Sequence, residues 1–321
     1  MSQNALTNRH DFLILFEVTN GNPNGDPDAG NIPRLDPNTN RGLVSDVCLK
    51  RKVRNYIEIF APERLSDENN NFNILIKQGA VIETEQKKGE LAAKEQQKDK
   101  EKQAEAAMKW LCREFYDIRT FGGVLSTGDD VMKGSAFGQV RGPVQFTFGQ
   151  SFHPITPLEI TITRCAVTKE ADKAKERTMG NKHIVPYALY AAKGYVSPAF
   201  AERTGFTQDD LELLFEALLT MFEHDRSAAR GEMVVRGLYD FEHVGTQHEN
   251  NAEQNRRESR LGCAHAHKLF EGIKVDLIDD AKSKGFPESF ADYQVNCEWT
   301  KENLPKGVQL HKRHIGESII G

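Results

Sequence analysis

Asp26, Asp28 and Asp36 are the carboxylates whose spacing comes nearest to a metal site. They lie in NGNPNGDPDAGNIPRLDP, Asn20 to Pro37, and a divalent cation held there could activate water for phosphodiester cleavage, as in a metal-dependent nuclease. The calcium-loop pattern D-x-[DN]-x-[DN]-G with a closing Glu is not met, since Asn20 stands where Asp is required and Asn31 where Glu is required. The same amides, prolines and glycines suit two other readings. One is a loop shaped by Asx turns and proline corners; the other is a run of backbone N–H groups turned towards phosphates. Elsewhere Cys263, His265 and His267 would share a face of an extended chain, but they lack a clear fourth ligand. Asp129 and Asp130 are adjacent and would point to opposite faces of a strand. No Gly-Lys-Ser/Thr follows Gly122-Gly123 or the Gly134 to Gly142 loop, so a Walker phosphate cradle is not indicated. The scattered histidines give no Ser-His-Asp or Cys-His order.

The basic residues are grouped. From Arg41 to Arg54 five of them (Arg41, Lys50, Arg51, Lys52, Arg54) face one acid, Asp46. From Arg164 to Lys182 six (Arg164, Lys169, Lys173, Lys175, Arg177, Lys182) face three acids. The chain as a whole carries a formal charge of −5 and a pI near 6.1, which counts against indiscriminate coating of nucleic acid. Two positive stretches in an acidic chain fit a confined groove for a polyanion, with an exterior that opposes non-specific binding. The 321 residues, 38% hydrophobic and 28% charged, place the chain among soluble globular proteins and exclude wholesale disorder. Cys48, Cys112, Cys165, Cys263 and Cys297 are odd in number and scattered, which predicts reduced, packed thiols rather than a disulfide framework or zinc ribbon. The opening MSQNALTNRH has no apolar stretch behind a basic one, and no segment approaches a membrane span, so the cytoplasm is the expected location.

Positioning these groups falls to a few elements. Asp11 to Thr19 is a short apolar and aromatic run stopped by Asn20 and Gly21, a buried strand. The loop to Pro37 is long for a connection, as functional loops are. Ser45 caps a helix predicted to reach Phe60 and to turn at Ala61-Pro62; Leu49, Val53, Tyr56, Ile57 and Phe60 form its apolar stripe. Lys50, Arg51 and Arg54 fall on one adjoining arc, which as a bare pattern is also what a solvated helix face looks like. A strand is expected at Phe72 to Ile76, and Glu83 to Glu105, almost wholly charged, Gln or Ala, predicts a projecting or mobile helix with little to bury. Strands are expected around Val144 to Phe148, from Leu158 to Val167, from Ile184 to Val196 and from Met233 to Phe241. The basic excursion from Thr168 to Lys182 reads as a hairpin tip. Thr207 opens a helix with Leu211, Leu214, Phe215, Leu218 and Phe222 on one face, and Thr207 with Asp210 resembles a capping box. The order is βαββαβ with large insertions, an α+β fold of ferredoxin-like or RRM outline.

The stretch FLILFEVTNGNPNGDPDAGNIPRLDPNTNRGLVSDVCLKRKVRNY, Phe12 through Tyr56, resembles the amino-terminal signature of the type I-C (Dvulg subtype) CRISPR-associated backbone protein, the Cas-seven family member of the Cascade surveillance complex. RTFGGVLSTGDD, GQVRGPVQF and NKHIVPYALY also look like that family, so the resemblance runs over most of the chain. It implies one hand-shaped unit across residues 1–321. A modified RRM (ferredoxin-like) palm would come from about 11–60, 117–167, 184–241 and parts of the C-terminal region, a helical finger insertion from about 61–116, and a thumb hairpin from about 168–183. It implies a non-catalytic subunit that binds guide RNA (crRNA) without metal or cofactor, in antiviral defence. Its partners would be further copies of itself, other Cascade subunits, and target DNA through the complex, with no membrane. Mapped onto this chain, Lys50, Arg51 and Arg54, with Arg41 of the same basic stretch, become backbone-phosphate contacts. Asn22, Asn24 and Gly25 sit beside the same RNA. In the thumb, Met179 becomes the wedge against a displaced base, with Arg177 and Lys182 on flanking phosphates. The aromatic RNP1 pattern that stacks bases on an RRM sheet is not found. The expected grip is therefore on phosphate and sugar, leaving guide bases free to pair.

Overall fold

The computed structural model describes residues 4–64, 71–126, 132–164, 166, 178–247 and 251–314. β1 (Arg9–Gly21) is buried along nearly its whole length, because it is apolar at both odd and even positions and both faces of its sheet are covered. Phe12, Ile14, Phe16 and Val18 enter the main core, and Leu13 and Leu15 a second one. The segment that follows holds β2 (Gly25–Asp26) and β3 (Ile32–Pro33) and leads through β4 (Arg41–Val44) into α1 (Asp46–Arg64). α1 sends Leu49, Val53 and Ile57 into the main core at the spacing of a buried helix stripe. It runs on through Pro62 to Arg64 rather than turning at Ala61-Pro62; near a helix end the proline costs a single backbone hydrogen bond.

The next stretch departs most from expectation. Glu83 to Glu105 falls in two helices packed on one another, α2 (Ile82–Gln96) and α3 (Lys100–Glu114), with Asp99 capping the second. Their buried positions include Gln86, Gly89, Ala93, Ala104, Ala107 and Leu111. Small residues let two helices approach closely while leaving almost no hydropathy signal. α4 (Tyr116–Phe121) follows and is wholly buried. The strand expected at Phe72 to Ile76 supplies only an isolated bridge between Asn73 and Phe115. β5 (Gly122–Val124) and β6 (Gln139–Arg141), read from sequence as loops, pair as a hairpin.

β7 (Val144–Phe146), β8 (Gly149–Pro154), β9 (Leu158–Arg164) and β10 (Thr178–Val196) come next. They are followed by α5 (Pro198–Thr204), α6 (Gln208–Thr220) and β11 (Glu232–His243). The C-terminal region contributes α7 (Ala252–Leu261), α8 (Ala266–Glu271), β12 (Ile273–Leu277), α9 (Asp279–Lys284), β13 (Tyr293–Cys297) and β14 (Val308–His314). The principal sheet is antiparallel in the order β14-β11-β1-β10-β8-β4, with β7 and β9 also paired to β10. Phe12 faces Gly194 across the β1–β10 pair. A Cβ at Gly194 would lie 2.0 Å from Phe12 Cζ, so the ring occupies the space any side chain there would need. Burying a ring of that kind contributes roughly 2–3 kcal/mol.

α1 and α6 cover one face of the sheet. The other face is covered too, by Leu269, Phe270, Ile273 and Trp299 of the C-terminal region packed with Leu13, Leu15, Tyr239 and Phe241. No helix among the described residues is long and apolar enough to cross a membrane. The capping box at Thr207 and Asp210 is present, with Asp210 N–H donating to Thr207 Oγ1 at 3.2 Å and Thr207 N–H to Asp210 Oδ2 at 3.0 Å. Asp210 also accepts from Arg119 Nη2 at 2.8 Å, and both side chains are buried. Arg119 in turn donates to Asn71 O at 2.6 Å and lies 4.9 Å from the Phe72 ring, tying the α2–α4 insertion to α6.

A second buried network joins β1 to β11 and β14. His10 Nδ1 is 2.9 Å from Asp240 Oδ1, and Arg313 Nη2 is 3.1 Å from Asp240 Oδ2. Burial pushes the His10 imidazole down, but Asp240 outweighs it and the pKa is raised above 6.5. His10 Nε2 is buried without a hydrogen-bond partner among the described residues, so the gain comes through Nδ1. A raised folded-state pKa gives a contribution that is complete below the ordinary value and lost as pH climbs through the raised one. Urea denaturation at stepped pH should therefore show the stability gap between the parent and His10→Asn widest below pH 6.5 and shrinking above it. A gap independent of pH would mean that His10 is not charged in the folded state.

Candidate nucleic-acid interface

The loop after β1 is pinned rather than loose. Asn20, Asn31 and Asn40 adopt left-handed backbone angles, which asparagine tolerates better than most residues. Gly25 is required by close approach, because a Cβ there would fall 2.0 Å from Asn31 Oδ1. Asn22 is buried; its N–H donates to Ala229 O at 2.6 Å and its Nδ2 to Asn31 O at 2.7 Å. Asn24 Oδ1 accepts from Ser45 N–H at 2.8 Å and Ser45 Oγ at 2.9 Å, which fastens the loop to the start of α1. Asp26 Oδ1 accepts from Asp28 N–H, and Asp26 Oδ2 pairs with Arg34 at 3.2 Å. The turn-chemistry reading thus accounts for the interactions of Asn22, Asn24 and Asp26. The backbone N–H groups of Asn22 and Asn31, offered from sequence as phosphate donors, are given to protein carbonyls instead.

The cations of α1 divide in a way the helical arc does not show. Lys50 Nζ pairs with Asp46 at 3.0 Å, reaches Gln145 Oε1 and sits 5.8 Å from the Phe121 ring centre. Arg54 is buried, donates from Nε to Asp117 Oδ2 at 2.9 Å and stacks 5.3 Å from the same ring. Asp117, also buried, accepts in addition from Leu75 N–H at 2.9 Å and Ile76 N–H at 3.1 Å. Arg54 therefore ties the insertion to the helix, while Lys50 is held by Asp46 of α1 and Gln145 of β7. Arg51 is exposed and bonded only to Asn55 Oδ1 among the described residues, at 3.0 Å. Lys52, on the opposite side, is buried against Asp225, which also binds Arg230 at 2.6 Å. Burial pushes the Cys48 thiol up, while Lys52, Arg230 and Arg34 pull it down, so three cations surround the joint of loop and helix with Asp225 and Asp26 as counter-charges. Arg41, first residue of β4, is half-buried with no side-chain hydrogen bond or ion pair among the described residues.

The hairpin expected at Thr168 to Lys182 is larger than the sequence suggests. β9 and β10 pair from Arg164 opposite Thr178 down to Leu158 opposite Ile184; Arg177 and most of the tip lie outside the described residues. Met179 is 72% exposed and stands opposite Thr163, whereas Lys182 is half-buried and stands opposite Ile160. With a period of two, Met179 and Lys182 occupy opposite faces. The Lys182 face also carries Leu158, Ile160 and Ile162, all exposed.

The metal-site candidates do not assemble. Among the described residues no group of three His, Cys, Asp or Glu side chains converges as a metal would require. His265 and His267 stack at 5.6 Å between ring centres at the start of α8, and Asp129 and Asp130 lie outside the described residues. Sequence reasoning missed Asp117, Arg119 and Asp210 as the buried hubs of the molecule. Nothing in their local sequence sets them apart from neighbouring charges such as Glu114, Asp209 and Glu212; their role is visible only once partners distant in sequence are known.

The family model described as CRISPR-associated protein Cas7 matches residues 8–298. A Haloferax volcanii protein described as CRISPR-associated protein Cas7 is 29% identical over 222 residues, 64% of this chain and 62% of that protein. The alignment thus spans less than two thirds of that relative. Among solved structures, a chain of a CRISPR RNA-guided surveillance complex superposes with a TM-score of 0.43 and 15% identity, over 73% of this chain and 68% of that one. A chain of the type III-B Cmr-beta complex bound to cognate target RNA gives 0.39 and 12%, over 72% and 60%.

Proposed function

Because this chain belongs to the family of CRISPR-associated protein Cas7, we propose that it is a non-catalytic backbone subunit that binds guide RNA in a type I-C Cascade complex. Copies stack along the RNA and present its bases to target DNA. The observation that carries this reading is the family match over residues 8–298. The order β11-β1-β10-β8, with α1 between the first two strands of the motif and α6 before the last, supports a modified RRM palm. In such a palm the sheet face that ordinary RRM domains offer to bases is here beneath Phe270, Ile273 and Trp299. The RNA is then held by its phosphates at the α1 edge and by the β9–β10 hairpin acting as thumb.

Arg41, Arg51, Lys182 and Arg177 serve as phosphate contacts, and exposed Met179 as the wedge. Asn22, Asn24 and Gly25 hold the loop that flanks the strand, and Lys50 and Arg54 hold the helix that bears Arg51. The apolar face of Leu158, Ile160 and Ile162 suits contact with the next copy. The test is co-expression with a CRISPR transcript, followed by purification and sequencing of retained RNA. The parent should retain RNA of discrete length, and Arg41→Glu/Arg51→Glu/Lys182→Glu should bind it at least about tenfold more weakly with unchanged thermal stability. Undiminished RNA retention by the triple variant would remove this groove. Metal-dependent RNA cleavage by the parent, abolished in Asp26→Ala, would replace the reading with a nuclease.

A further inference from the structure

β14 is the outermost strand of the principal sheet, paired with β11 on one side and, among the described residues, with no strand on the other. Together with the loop at 299–307 it forms a groove of about 1030 Å³, lined by Trp299, Leu304, Pro305, Val308, Leu310 and Lys312 among others. Among the described residues the lining comes from this segment and not from β11, which puts the groove on the open side of the strand. We propose that it docks an extended acidic peptide of a partner protein, which joins the sheet as a further strand beside β14. The loop is already shaped for this. Trp299 Nε1 donates to Leu269 O at 2.7 Å, Thr300 N–H to Asn303 Oδ1 at 2.7 Å, and Asn303 Nδ2 to Glu298 O at 2.8 Å. Val308 N–H donates to Pro305 O at 3.1 Å where the loop enters the strand.

Three features select the occupant. An edge strand turns a row of backbone N–H and C=O groups outward, and a second strand matches that row in spacing and in polarity. With a period of two, Val308, Leu310 and Lys312 share one face, and Trp299 and Leu304 pack with Val308 and Leu310 there. Apolar surface on that side receives the alternate side chains of an added strand. The opposite face is already committed, His311 to Glu242 at 2.9 Å and Arg313 to Glu212 and Asp240. The charges decide the rest. Lys301, Lys306 and Lys312 line the groove, are exposed and make no ion pair among the described residues, with Glu302 as the one acid of the lining. Lysine on an edge discourages a basic or uncharged strand from pairing, and the same charge favours an acidic one. The inference does not depend on the guide-RNA reading, since it concerns different side chains.

The experiment measures fluorescence anisotropy of a labelled peptide of alternating glutamate and valine added to the full chain, purified with whatever RNA it carries. The parent should bind it at least about tenfold more tightly than a peptide of alternating lysine and valine. Lys306→Glu/Lys312→Glu, which disturbs no ion pair described here, should weaken that binding at least about tenfold, with co-purified RNA unchanged. Lys306→Gln/Lys312→Gln serves if the reversed charges impair folding, and should act in the same direction. Methylating alternate backbone nitrogens of the peptide separates strand pairing from charge attraction: one of the two methylation patterns should abolish binding and the other preserve it. Binding absent in the parent, unchanged in the folded variants, or indifferent to both methylation patterns would overturn the proposal. Displacement by oligothymidylate as effective as by unlabelled peptide would overturn it in favour of nucleic acid. Self-association of the parent in sedimentation, lost in the lysine variants, would overturn it in favour of a second copy of this chain.

Discussion

Arg54→Ala should cost about 3–5 kcal/mol of folding stability, while Arg51→Ala, three residues earlier on α1, should stay within about 0.5 kcal/mol of the parent and weaken RNA binding instead. Arg54 is buried against Asp117. Without the guanidinium, the Asp117 carboxylate keeps, among the described residues, only the Leu75 and Ile76 N–H groups and remains a buried charge. Attraction across a surface pair is largely repaid by water, but a buried partner left behind is not. Leu75 and Ile76 belong to the insertion, so its packing on α1 should loosen first. Urea denaturation of both variants, beside retained RNA, separates the two roles. Equal stability would show that Arg54 is dispensable to the fold.

Asp210→Ala should be at least as damaging, again about 3–5 kcal/mol, because one side chain performs two tasks. It accepts from the Thr207 backbone N–H to close the capping box, and it neutralises Arg119 where neither is exposed to water. Loss of the Asp210 half of the capping box is the smaller part, because the backbone N–H at 210 still reaches Thr207 Oγ1; the rest comes from a guanidinium left with carbonyl acceptors and the Phe72 and Tyr116 rings. Arg119→Met/Asp210→Leu should regain much of that loss, since removing both charges removes the desolvation penalty. A double variant no better than Asp210→Ala would mean that the pair contributes more than it costs, and its coupling could then be read from the cycle.

Where local signals were strong, the sequence was readable. β1, α6 with its cap, and β11 follow from dense apolar runs and one Thr207–Asp210 pair. The seam of α2 and α3 was not readable, because alanine and glycine pack closely without contributing hydropathy. β5 and β6 were read as loops because Gly122, Gly123 and Gly142 hide a hairpin. At the candidate interface, the arc of Lys50, Arg51 and Arg54 was placed correctly on the helix, yet Lys50 is taken up by Asp46 one turn earlier and Arg54 turns inward to an acid and a ring that the helix cannot reveal. Asp117 is 63 residues from Arg54 in the chain. The turn chemistry of Asn22, Asn24 and Gly25 was visible, but which amides it consumes depends on Ala229 and Ser45.

β10 is a single 19-residue strand that changes partners midway, pairing with β9 up to Ile184 and with β1 from Val185 onward. That continuity imposes a parity on the molecule. Adding or removing one residue between Thr178 and Ile184 would exchange the two sides of the hairpin, carrying Met179 to the side of Lys182 while the half paired with β1 stayed fixed. Adding two would lengthen the projection by roughly 7 Å and leave both sides as they are. The reach of this arm can therefore be altered without scrambling its chemistry only in even steps.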